Sequence, residues 1–129
     1  MTIDAIAAAF SGHRFADAYP FLADDVQWEL VGGPTLRGPD EVRAACEATL
    51  SGLEGVETEF RRFRTIVGAD SVVVDAIGVY RDSDGPDSTV ASCDIYDFSD
   101  GRIVGITSYT VEVPSADPAA AEASLADPI

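Results

Sequence analysis

Apolar residues at positions 3, 6, 7 and 10 fall on one face of a helix, so the spacing predicts a short amphipathic helix over residues 3–11, ended by Gly12. A second helix follows, with Phe15, Ala18, Tyr19 and Leu22 on one side and Pro20 shortening or kinking its last turn. Val26-Gln-Trp-Glu-Leu-Val31 alternates as a strand and is closed by Gly32-Gly-Pro34. The strongest helical period lies in Val42, Ala45, Cys46, Thr49, Leu50 and Leu53, opened by Gly38-Pro39-Asp40-Glu41 and ended across Gly52–Gly55. Four strands complete the pattern, over residues 56–67, 71–80, 88–98 and 102–112. Phe60 and Phe63 break the alternation of the first of these, which predicts a bulge between them. Ser99-Asp100-Gly101 joins the last two as a tight hairpin. Helices first and an antiparallel meander last make an α+β pattern. The residues after Val113 are rich in Pro, Ala and acid, so we divide the chain into a domain at 1–113 and a tail at 114–129. Asp117-Pro118 can cap one short tail helix, and a frayed end fits equally.

Composition narrows the function. The chain has 129 residues and a formal charge of −15, and its eight basic residues are all arginine. It would repel phosphates, which excludes nucleic acid and disfavours an anionic membrane surface. No apolar run approaches the ~20 residues of a membrane span, and the Met-Thr-Ile-Asp start lacks the basic end of a signal peptide, so a cytoplasmic location is the expectation. Cys46 and Cys93 read as unpaired buried thiols. One histidine and no cluster of ligands leave little from which to build a metal site, and no glycine-rich phosphate loop occurs, so no cofactor is implied.

Asp94 stands out because it sits mid-strand among apolar neighbours, where a carboxylate is disfavoured. Alternation places Val90, Ser92, Asp94, Tyr96 and Phe98 on one face. Either Asp94 pairs with Arg62 or Arg64 on the long neighbouring strand, or it is an acid held in a pocket, with its charged form disfavoured. Arg61, Arg62 and Arg64 also offset nearby acids such as Glu57 and Glu59, and Asp75 faces away from Asp94.

Phe21-Leu-Ala-Asp-Asp-Val-Gln-Trp28, Leu36-Arg-Gly-Pro-Asp-Glu-Val42 and Tyr96-Asp-Phe-Ser-Asp-Gly-Arg-Ile-Val104, in this order and on these elements, resemble the SnoaL-like branch of the nuclear transport factor 2-like superfamily. The resemblance covers nearly residues 1–113. It implies a cone-shaped α+β barrel, a curved, mostly antiparallel sheet wrapped around the N-terminal helices. By register with the hairpin, Asp94 falls where ketosteroid isomerases keep a protonated aspartic acid that donates to the substrate oxyanion. Their base and pocket tyrosine would fall near Leu30 and Ile6, neither able to move a proton. The acids and arginine of the epoxide hydrolases would fall near Ala76, Gly78 and Ser108, and the acid/base of the SnoaL cyclases also near Ser108. Asp94 is therefore the one catalytic candidate, with Ser108 a substrate contact rather than a replacement acid.

The resemblance further places Tyr19 and Trp28 at the cavity mouth and lets Tyr80 and Tyr96 hydrogen-bond a ligand carbonyl. It puts His13 in a solvent-exposed turn and gives Asp24 and Asp25 a backbone-capping role. Two readings of different kinds follow. One is a cofactor-independent isomerase or cyclase for a hydrophobic, carbonyl-containing small molecule, polyketide- or steroid-like. The other is a non-catalytic module that binds such a ligand. A purely assembling role through the outer sheet face is a weaker third, and a homodimer through that face is expected in each case.

Overall fold

The computed structural model describes residues 1–114. Helix α1 spans Ile3–Ser11, the single turn α2 spans Phe15–Ala18, and a 3-10 turn over Tyr19–Phe21 carries Pro20. The second helix is thus one turn long, because proline cannot donate the backbone bond that would extend it. Strand β1 (Leu22–Leu30) and β2 (Thr35–Arg37) precede α3 (Gly38–Gly52), and β3 (Val56–Val67), β4 (Ser71–Asp82), β5 (Ser88–Ser99) and β6 (Arg102–Val113) follow. The tail beyond residue 114, including the Asp117 cap, lies outside the described residues.

One six-stranded sheet runs β2-β1-β6-β5-β4-β3. All pairings are antiparallel except β1 with β6, which is parallel and brings the helical half of the chain onto the meander. Strand β1 starts earlier than alternation suggests. Asp24 and Asp25, expected to cap a turn, instead lie inside it, exposed, where its pairing with β6 shifts between Leu22 and Gln27. The short β2 was not legible, since three residues carry no period.

The expected bulge in β3 is present. Pairing with β4 skips from Phe60 to Arg62, so Arg61 is extra and both phenylalanines face inward, their rings 5.1 Å apart. The β5–β6 hairpin turns on Asp100 and Gly101, both at positive φ, as a two-residue turn of this type requires. The core lies between the concave face of the sheet and the helices. Ile6 and Phe10 of α1, Val42 and Cys46 of α3, and Val72, Val74, Tyr96 and Ile106 of the sheet form one buried cluster. Burial pushes the Cys46 thiol up to about 12, so it stays protonated. Cys93, expected to be buried, is only half-buried.

Candidate active site

The helices do not fill the cone. A cavity of about 300 Å³ remains between the end of α1 and strands β3–β6, walled by Phe10, Phe15, Trp28, Phe60 and Tyr80. Asp94, Ser92, Ser108 and Thr110 supply polar groups on its sheet side, and Ser11 and His13 on its helical side.

Asp94 does not pair with an arginine. Arg62 and Arg64 instead lie 3.5 and 2.8 Å from Asp75, on the opposite face of the sheet, and Arg81 takes Glu59 at 2.7 Å. Ser11, at the end of α1, donates its hydroxyl to Asp94 Oδ2 at 2.7 Å and stands 2.6 Å from the Tyr96 hydroxyl. Since the Ser11 proton is committed to Asp94, Tyr96 donates to Ser11. Trp28 Nε1 donates to Ser108 Oγ at 2.9 Å. Ser108 is paired directly across from Asp94 in the β5–β6 ladder, and its hydroxyl favours the charged form of that carboxyl.

Burial raises the Asp94 pKa above its ordinary carboxylate value, and the Ser108 and Ser11 hydroxyls and the nearby His13 only partly oppose it. Burial lowers His13, with Asp94 pulling the other way. Tyr80 is raised by burial and by Asp94, and Tyr96 is raised well above its ordinary value chiefly by burial. All four groups are therefore biased toward their neutral forms.

Trp28, Tyr80, Asp94 and Ser108 thus meet at one cavity. Two other candidates lie elsewhere. Tyr96 is fully buried beneath the cavity floor and reaches it only through Ser11. Tyr19 is absent from the cavity wall; its ring lies under the Arg43 guanidinium at 4.6 Å, and its buried hydroxyl lies against the Cys46 thiol. Its place follows from the shortened second helix, which turns Tyr19 into the 3-10 segment facing α3. Ser11 and His13 are the cavity side chains that the sequence pattern does not bring forward. Ser11 continues the inward stripe Ile3–Ala7–Ser11 at i, i+4, i+8, so a hydroxyl on that stripe is the available signal. His13 is half-buried among aromatic rings rather than in solvent. Among the described residues there is no group of three or more metal-ligating side chains, and no helix is long and apolar enough to cross a membrane.

A family model for the SnoaL-like domain matches residues 3–106. Comparison with curated proteins returns no match. Among solved structures, an NTF2-like protein of unknown function from Cytophaga hutchinsonii aligns with a TM-score of 0.73 at 28% identity, over 83% of this chain and 94% of that one. TerC, co-crystallised with polyporic acid, aligns at 0.63 and 22% identity, over 84% and 90%. An LEH-like epoxide hydrolase from M. tuberculosis aligns at 0.56 and 22%, over 85% and 84%. The latter two share the fold.

Proposed function

The chain belongs to the SnoaL-like domain family, and from that premise we propose that its cavity takes a hydrophobic, carbonyl-bearing small molecule, polyketide- or steroid-like, and isomerises or cyclises it by acid–base chemistry. The observation that carries this reading is Asp94. It is a carboxyl on an aromatic-walled cavity, held by Ser11 at 2.7 Å and pushed toward its protonated form by burial. A neutral carboxylic acid there donates a hydrogen bond to a carbonyl oxygen and stabilises the charge that develops on it. Trp28 and Tyr80 shape the wall, Ser108 contacts the ligand, and Tyr96 supports the acid from behind through Ser11. That TerC was co-crystallised with polyporic acid supports small-molecule binding by this type of cone.

One observation favours a second reading, a module that binds such a ligand without converting it. Asp94 is the only acidic side chain on the cavity wall among the described residues, and Leu30, Gly78 and Ser108 stand where the family resemblance would place other acids. We also assign the outer sheet face to a homodimer contact.

The test is a thermal-shift screen against enones, steroids, aromatic polyketides and terpene epoxides, followed by turnover of any hit with Asp94→Asn. A ligand at about 100 times its Kd adds about 2.7 kcal/mol, several degrees in a domain of this size. Conversion lost in Asp94→Asn with binding kept supports the enzyme. Binding without conversion in either protein supports the module.

A further inference from the structure

The end of α1 breaks a local rule. Arg14 N–H donates to Ala9 O at 2.8 Å and His13 N–H donates to Phe10 O at 3.1 Å. These two bonds define a Schellman motif with His13 at the C′ position, which is left-handed and usually glycine. His13 has φ +65°, although Gly12 stands one residue before it. Gly12 is needed where it is, since a Cβ there would meet Ala8 O at 2.9 Å. A side chain at C′ costs backbone strain that glycine would avoid, and strain of this kind collects at functional sites.

The strained backbone carries the imidazole into the cavity. Its ring lies 5.7 Å from Phe15, 5.9 Å from Phe60 and 6.0 Å from Tyr80, centroid to centroid, and it shares the wall with Asp94. The titratable groups facing it are Asp94 from β5 and Tyr80 from β4, and the neighbouring Arg14 is exposed. We propose that His13 is the proton acceptor of this cavity, the base that works opposite Asp94 on a ligand with an acidic C–H next to its carbonyl. This rests on the acid–base reading above and supplies the partner that reading lacks.

The step balances without a co-reactant. The unprotonated ring nitrogen takes the proton from carbon, and the C–H electron pair becomes a C=C bond as the carbonyl π pair moves onto oxygen. The Asp94 carboxyl donates a hydrogen bond to that oxygen. With a C=C between the β- and γ-carbons of the ligand, the imidazolium then returns the proton to the γ-carbon as that double bond shifts into conjugation and the carbonyl re-forms, so the net change is an isomerisation. Burial keeps the imidazole neutral and able to accept a proton across more of the pH range.

The probe is 5-nitrobenzisoxazole, which opens to a coloured nitrophenolate when a base removes its isoxazole C–H proton. His13→Gly and His13→Asn both suit a left-handed C′, so both should fold. Each should lower the rate by about 100-fold or more. The wild-type rate should rise with pH at a midpoint that matches the His13 titration followed by NMR. Asp94→Asn should lower the rate and leave the His13 midpoint in place, because the Asp94 that serves as donor is the uncharged form. A full rate in His13→Gly overturns the proposal; if Asp94→Asn then abolishes the rate, Asp94 itself is the base and the acid–base reading stands. No acceleration by the wild type at any pH overturns both.

Discussion

Asp94 and Tyr96, neighbours on the inward face of β5, are joined through a single hydroxyl, with Ser11 Oγ 2.7 Å from the carboxyl and 2.6 Å from the phenol. The phenol is fully buried and stays protonated, which fixes the direction of the chain from Tyr96 through Ser11 to Asp94. A helix residue thus ties the floor of the cavity to its acid. On the other side, Trp28 backs Ser108 in the same manner at 2.9 Å.

Ser11→Ala removes the link and leaves the Tyr96 hydroxyl buried without a partner. We expect a loss of about 1–3 kcal/mol in urea unfolding, the range for an orphaned buried polar group. Tyr96→Phe removes the orphan itself, and should cost less than Ser11→Ala once its small packing change is included. The double variant should be no worse than Ser11→Ala alone. A Tyr96→Phe loss larger than that of Ser11→Ala would show that the phenol has another partner.

Gly78 of β4 lets Tyr80 fold over the cavity wall. A Cβ on Gly78 would sit 3.3 Å from the Tyr80 ring and hydroxyl and 3.4 Å from Phe60. Gly78→Ala should therefore push Tyr80 and Phe60 into the cavity, costing about 1 kcal/mol from overpacking and weakening any ligand found in the thermal-shift screen. Isothermal titration checks it. Unchanged affinity would mean that the ligand does not reach the β3–β4 end of the cavity.

The fold was readable because its signals are periodic. The α3 stripe and the Asp-Gly hairpin each follow from one physical rule, and so does the bulge between Phe60 and Phe63. Asp94 was readable for the opposite reason, as a carboxylate where propensity disfavours one. What escaped were groups whose roles depend on three-dimensional approach. His13 is a lone residue after a glycine, and nothing in its neighbours along the chain reveals that Phe60 and Tyr80 close over it. Tyr19 lies off the wall because the second helix stops after one turn, which helical spacing alone does not reveal. The pairing of Arg62 and Arg64 with Asp75 needed the register shift at Arg61, which sequence locates but cannot aim.

The outer face of the sheet leads to a prediction about assembly. Tyr109 is 47% exposed and Val111 63%, both on β6. Sedimentation at micromolar concentration should show a dimer, and Val111→Asp should shift it toward monomer by placing a charge in an apolar contact. A wild-type protein that sediments only as monomer refutes the homodimer.

Asp94 and His13 should tilt the stability curve in opposite senses. Asp94 has a folded pKa above its ordinary 3.8, so the folded state binds the proton more tightly than the unfolded chain. Its contribution is intact below 3.8 and is lost as pH rises through the folded value. His13 has a folded pKa below its ordinary 6.5, so the unfolded chain binds that proton more tightly. Its contribution is intact above 6.5 and is lost as pH falls through the folded value. Asp94→Asn should therefore gain on the wild type as pH is raised above 3.8, and His13→Gly should gain on it as pH is lowered below 6.5. Relief of left-handed strain at position 13, about 1 kcal/mol, offsets the aromatic contacts that glycine forfeits, so His13→Gly should melt within a few degrees of the wild type at neutral pH. Urea unfolding of the three proteins across the acid range checks both slopes. Curves that run parallel would mean that neither group titrates differently in the folded protein, and that the cavity is wetter than its aromatic walls imply.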